Sequence, residues 1–163
     1  MIIVKKSGYL IIKNFKFRCA IGKNGIKKKI KEGDCITPKG TFKILKVFYR
    51  ADKIKKIITK IPKIKIKKNM GWCDDPKSKF YNKLIKIPIK ESYEKLYRRD
   101  NLYDIIIVLN YNISPTIRGK GSAIFIHISK NNYQTTSGCI ALKKSDLIKI
   151  LKINNKNKLI KIS

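Results

Sequence analysis

Apolar residues in this chain come in short alternating runs, and that spacing constrains the fold more than any other feature. Over residues 123–128, Ala-Ile-Phe-Ile-His-Ile, an extended chain puts Ile124, Ile126 and Ile128 on one face and Ala123, Phe125 and His127 on the other. The isoleucine face is expected to enter the core. Phe15, Phe17 and Cys19 alternate with Lys16 and Arg18 in the same way. Residues 103–109, YDIIIVL, are the most apolar run and read as a central strand. Residues 2–4, 9–13, 41–50 and 158–162 add further strand candidates. Asn24-Gly25 suits a tight hairpin turn. The Lys/Ile tract over 53–69 is interrupted by Pro62, which argues against a continuous helix, and it reads as a lysine-studded edge strand or surface hairpin. Only two stretches look helical. One is Glu91–Arg99, with Ser92 as N-cap and Tyr93, Leu96 and Tyr97 on one face; the other starts at Ser145 and runs through Leu147, Ile148 and Leu151. About nine strand candidates against two short helices predict a mainly β fold. The 163 residues suit one domain over 1–163, with no internal repeat.

The formal charge of +30 points first to a polyanionic partner: nucleic acid, an acidic membrane or an anionic wall polymer. The composition argues against nucleic acid. Of the 40 basic residues only Arg18, Arg50, Arg98, Arg99 and Arg118 are arginines. A reader of phosphates and guanines would use more of them, for bidentate contacts. Lysine, isoleucine and asparagine are all in excess, and A/T-rich codons explain the three together. The charge still steers the protein toward anionic wall or membrane surfaces at low salt. No apolar stretch approaches the ~20 residues of a membrane span, and the N-terminus carries no recognisable signal peptide. Cys19, Cys35, Cys73 and Cys139 show no CxxC spacing, and one histidine completes no zinc-finger pattern.

That histidine is His127. A polar loop follows it, rich in Asn, Gln, Thr and Ser, and Cys139 follows the loop in the tetrapeptide Ser137-Gly138-Cys139-Ile140. A thiol becomes a nucleophile when a nearby imidazole takes its proton. A strand, a loop and a second strand can bring the two together, and backbone N–H groups around Gly138 and Cys139 can form an oxyanion hole. The ordinary alternatives are a cysteine serving as a small buried hydrophobe and a histidine satisfied in the framework. Two further segments combine polar and turn residues: Glu32 to Gly40, and Met70 to Asn82 with Trp72, Asp74, Asp75, Tyr81 and Asn82. Their carboxylates either organise turns or line a groove, and Asp74 or Asp75 is a candidate to orient His127 or to bind a peptide amine.

These residues resemble the L,D-transpeptidase (YkuD-type) catalytic domain family. The likeness rests on His127 followed by Thr136-Ser137-Gly138-Cys139, on Thr37-Pro38-Lys39-Gly40 after Glu32-Gly33-Asp34, on Trp72-Cys73-Asp74-Asp75-Pro76 with Tyr81-Asn82, and on Gly119 to Phe125. It covers roughly residues 8–152. It implies a compact β-sandwich-type domain with short helices and a cysteine acyltransferase acting on peptidoglycan stem peptides in the cell envelope or periplasm. Cys139, His127, Ser137 and Gly138 would be catalytic, with the Ser137 carbonyl holding the second imidazole nitrogen. Trp72, Asp74, Tyr81 and Asn82 would bind substrate, and no metal or organic cofactor would be needed. One departure is Ala141, where many members carry arginine. It leaves open a related cysteine hydrolase on another peptide-like substrate. A basic polyanion-binding protein with an inert cysteine is the non-enzymatic alternative.

Overall fold

Gly40–Tyr49 form the longest strand, and the rest of the sheet is built outward from it. A computed structural model describes residues 1–154 and 158–163. The chain runs through β1 (Ile2–Lys5), β2 (Tyr9–Ile12), β3 (Phe15–Arg18), β4 (Ile26–Lys27), β5 (Thr37–Pro38), β6 (Gly40–Tyr49) and β7 (Lys63–Lys65). It continues through β8 (Met70–Cys73), β9 (Leu84–Lys86), β10 (Tyr93–Lys95), β11 (Ile105–Leu109), β12 (Phe125–Ile128), β13 (Ile140–Leu142), α1 (Lys144–Ile153) and β14 (Leu159–Ile162).

The main sheet has the order β13-β12-β11-β6-β14-β1-β2-β3, with β7 pairing β6 beside that path. Strand β6 pairs with β11 through Ile44–Tyr49 and with β14 through Gly40–Lys43. A bulge in β6 shifts the register between Val108 and Leu109 of its partner. An extra residue in one strand reverses which side chains face which way. Accordingly Ile44 and Val47, three apart, enter one core cluster, while Leu45 and Phe48 pack into the other. The sheet curls until its two ends meet: Ala20, just past β3, exchanges backbone hydrogen bonds of 2.8 and 3.0 Å with Ala141 of β13. Strand β7 lies at an edge with Lys63 and Lys65 exposed, as the lysine alternation predicts.

All five residues of β11 are buried. Ile105, Ile107 and Leu109 join the larger cluster with Ile124, Ile126 and Ile128, and α1 caps it with Leu147, Ile150 and Leu151. Ile106 and Val108 face the other way and meet Phe125, Trp72 and Leu96. The isoleucine face of 124–128 is therefore core, as its periodicity predicts.

Three local expectations change. Glu91–Arg99 is not a helix: Tyr93–Lys95 is strand β10, paired antiparallel with Gly71–Cys73 of β8. A helix this short is marginal in isolation, so an available strand partner decides the outcome. Ser145 is no cap. The helix starts at Lys144 directly after β13, with Lys143 at the cap position and no side-chain cap bond. Asn24-Gly25 lies at a tight turn, closed by Gly25 N–H to Gly22 C=O at 2.8 Å, but it joins no hairpin. The strand after it, β4, runs parallel to β5. Among the described residues, no helix is long and apolar enough to cross a membrane.

Candidate active site

Strands β12 and β13 are parallel neighbours, with Ile126 opposite Ile140 and His127 opposite Ala141. Cys139 precedes β13, on the same face as Ala141 by the period of two. The loop 129–139 must therefore cross over to bring the chain back in the same direction. Its return sets the thiol beside Phe125, whose N–H donates to Cys139 Sγ at 3.4 Å. His127 and Cys139 line one cavity of about 350 Å³.

The turn into Cys139 is fixed from several sides. Gly138 has φ +136°, and a Cβ on it would lie 2.8 Å from the Ile36 carbonyl oxygen, so position and conformation both demand glycine. Its carbonyl accepts from Thr37 Oγ1 at 2.8 Å, which gives the Thr37 of the Thr-Pro-Lys-Gly segment a direct hold on the loop. Its N–H donates to Thr136 Oγ1 at 3.1 Å, and the Thr136 hydroxyl donates to the Cys139 carbonyl at 2.5 Å. The Gly138 N–H is thus already engaged.

Beneath this turn runs Lys29, whose side chain is only 4% exposed. Its ammonium pairs with Asp34 and donates to the Ile36 carbonyl at 3.4 Å. It threads past Gly121, where a Cβ would stand 2.3 Å from Lys29 Cε. Asp34 also accepts from the N–H groups of Ile30, Lys31 and Ile36. Burial alone would raise the Asp34 carboxyl, but Lys29 and the three N–H donors hold it down at about 2.

His127 Nδ1 lies 2.9 Å from the carbonyl oxygen of Ile128, its own neighbour. That contact replaces the expected Ser137 carbonyl, and it replaces Asp74 or Asp75 as the imidazole's orienting group. A backbone acceptor at Nδ1 selects the tautomer protonated there and leaves the Nε2 lone pair as the base. Burial pushes the imidazole pKa down, against the Ile128 carbonyl. Burial also pushes the Cys139 thiol up to about 12, with the Glu94 charge adding to it and the Phe125 N–H and Lys29 opposing it. The resting pair is therefore a neutral thiol and a neutral imidazole.

Cys139 sits where two cavities adjoin, with Ser137 and Glu94 also lining both. The larger has His127, Tyr103, Ala141 and the cations Arg98 and Lys130 in its wall. The smaller, about 130 Å³, is walled by Trp72, Glu32, Asp74, Lys29 and Ser122. Two more open hollows along residues 128–134 are lined by neither His127 nor Cys139. Of the four residues expected to bind substrate, Trp72 and Asp74 reach a cavity wall. Tyr81 and Asn82 line neither cavity. Tyr81 donates to Glu32 Oε2 at 2.6 Å. Buried Asn82 accepts from Ala123 N–H at 2.7 Å and donates to the carbonyls of Asn112 and Gly121.

Lys29, Glu94, Arg98 and Tyr103 are site residues that the sequence reading passes over. For Glu94 a signal existed. It lies directly opposite Trp72 in the β8–β10 pair, and opposed residues share a face. Reading 91–99 as a helix hid it. All four cysteines are free thiols, with Cys19 and Cys73 buried.

A family model for the L,D-transpeptidase catalytic domain (YkuD) matches residues 1–162. The chain belongs to the L,D-transpeptidase catalytic-domain family, as its sheet-rich fold and the His127 to Cys139 segment anticipate. No curated protein sequence matches it.

Proposed function

We propose that this protein is a cysteine acyltransferase of the cell envelope that remodels peptidoglycan stem peptides through a thioester on Cys139. One observation carries the reading: His127 on β12 and Cys139, just ahead of the parallel neighbour β13, face one cavity, with Nδ1 engaged by a backbone carbonyl and Nε2 left as base. Family membership supplies the substrate class.

The chemistry follows from the neutral resting pair. As Cys139 Sγ attacks the carbonyl carbon between a diamino acid and the terminal D-alanine, its proton moves to His127 Nε2. Forming the nucleophile only when substrate is in place avoids burying an ion pair in the free enzyme. Charge develops on the carbonyl oxygen, and of the two backbone donors at this turn the Cys139 N–H is the one assigned to it, since that of Gly138 is held by Thr136. The C–N bond breaks, His127 returns its proton to the nitrogen, and D-alanine leaves. An amine of a second stem then attacks the thioester. The C–N bond forms, the C–S bond breaks, and the proton shed by the amine returns to sulfur. Water in place of the amine gives a trimmed stem. The +30 charge draws the protein to anionic wall polymers, an attraction that salt weakens.

The test is mass spectrometry of purified tetrapeptide muropeptides after incubation with the wild type and with Cys139→Ala. Cross-linked dimers, or stems lacking D-alanine, made only by the wild type are the expected result. Unchanged muropeptides with a folded wild type would remove peptidoglycan as the substrate.

A further inference from the structure

The smaller cavity gathers three carboxylates without an ion pair. In a chain with 40 cationic residues and ten acids, ion pairs among the described residues go to Asp34, Asp52, Asp100 and Asp104. Six acids have none among those residues, and three of the six, Glu32, Asp74 and Glu94, line this one space beside Cys139. Neutral hydroxyls hold two of them: Tyr81 and Ser122 donate to Glu32 at 2.6 and 2.8 Å, and Tyr103 donates to Glu94 at 2.9 Å. Lysines are abundant enough to neutralise them, and the one lysine in the wall, Lys29, is spent on Asp34. Desolvation pushes the Glu94 carboxyl up, and the charges of Asp74 and Glu32 add to that. The Tyr103 hydroxyl and the charge of Arg98 oppose this, but among the described residues no cation forms an ion pair with any of the three, and carboxylates so grouped are in the state that a bound cation relieves.

A second observation is independent of charge. Trp72 is 5% exposed, and its indole Nε1–H has no hydrogen-bond partner. Asp74 Oδ1 in the same wall has none either. Of four such buried side-chain atoms among the described residues, one donor and one acceptor belong to this cavity. Unpaired buried polar atoms are costly and call for a ligand that completes them. The complement is a protonated amine for the carboxylates with a carbonyl or carboxylate oxygen nearby for the indole N–H.

We propose that the cavity walled by Glu32, Asp74, Glu94 and Trp72 binds the primary ammonium group of the acyl acceptor, next to the Cys139 thioester. Its purpose rests on the acyl-transfer reading, but its existence does not. The bound ammonium passes one proton to a wall carboxylate, and the free amine then stands where water would otherwise compete, which favours transfer over hydrolysis. The cationic wall of the larger cavity, Arg98 and Lys130, leaves that side to the anionic portions of the donor stem.

Charge-selective thiol reagents test this without any muropeptide. The probes are the cationic 2-aminoethyl and the anionic 2-sulfonatoethyl methanethiosulfonates, used at low ionic strength. Modification of Cys139 is followed by peptide mass mapping, and rates are divided by those of an uncharged cysteine peptide. The expected result is roughly tenfold faster reaction with the cationic reagent, against the net charge of the protein. The preference should vanish in Glu32→Gln/Asp74→Asn. If that double variant does not fold, Asp74→Asn alone, which loses no hydrogen bond at Oδ1, must cut the ratio at least about threefold. Faster anionic reaction, a ratio unchanged by the substitutions, or a Cys139 that neither reagent reaches would each overturn the proposal. Cationic preference without muropeptide products keeps the amine site and removes the transpeptidase reading. Products without the preference do the reverse.

Discussion

The two faces of the β11–β12 pair are built from consecutive residues and do different work. One face carries Ile105, Ile107, Leu109, Ile124, Ile126 and Ile128 against α1, and it is aliphatic throughout. The other carries Ile106, Val108, Phe125 and His127, with Trp72, Tyr103 and Cys139 packed around them. Branched aliphatics interdigitate and leave little space. Rings meeting edge to face do not: Trp72 and Phe125 stand 5.2 Å apart at 88°, and Tyr103 and His127 stand 5.4 Å apart at 75°. The crevices between such rings, with polar tips at their ends, are where both cavities lie. A strand period of two lets one short segment supply stability and chemistry on alternate residues without either compromising the other.

That separation can be broken from either side. The largest effect is expected at Cys139→Ala, which should reduce muropeptide turnover at least about a thousandfold and leave the melting temperature nearly unchanged. A large drop in melting temperature would mean that the thiol belongs to the framework. His127→Gln should cost roughly 10²–10⁴ in turnover. The wild-type thiol should react with iodoacetamide slowly at neutral pH and faster through alkaline pH, because burial holds it at about 12. A fast, pH-independent alkylation near neutrality would instead indicate a standing thiolate–imidazolium pair. On the aliphatic face, Ile126→Ala should cost about 2–5 kcal/mol in urea unfolding while the folded fraction keeps its activity. Specific activity lost in proportion to stability would show the faces to be coupled.

Gly138→Ala lies between the two classes. Strain at φ +136° and the approach to Ile36 should cost about 1–3 kcal/mol and displace Cys139, so that activity and stability fall together. The smallest effect concerns pH. Asp34 is depressed in the folded state, so the stability it contributes is complete above its unfolded value near pH 4 and is lost as pH falls toward about 2. Chemical unfolding at pH 5 and pH 3 should show this loss, and Asp34→Asn should reduce it.

Much of this was legible from local patterns. The alternation over 123–128 assigns both faces of β12 without any knowledge of partners, and the His127 to Cys139 segment marks the nucleophile and its base. What escaped depends on distant chain. Lys29 is one of three consecutive lysines and looks like solvated surface. Its burial arises because Gly121 and Gly138, about a hundred residues away, leave room for it. Tyr93, Leu96 and Tyr97 fit a helical face as well as they fit a strand, and β8 settles which. The loop carbonyl of Ser137 suits the imidazole by sequence, yet the adjacent carbonyl of Ile128 is the one within reach.

Strand β14 enters the sheet between β6 and β1, pairing antiparallel with one and parallel with the other. Residues 159–162, more than a hundred positions from β6 and β1, therefore complete the middle of the largest sheet, not its margin. Without them β1 to β3 would have no neighbour joining them to β6 within the sheet. Pairings of such long sequence separation fold slowly. The sheet that carries the thiol thus closes through a strand that lines neither cavity, and the site's geometry is tied to pairings made far from it.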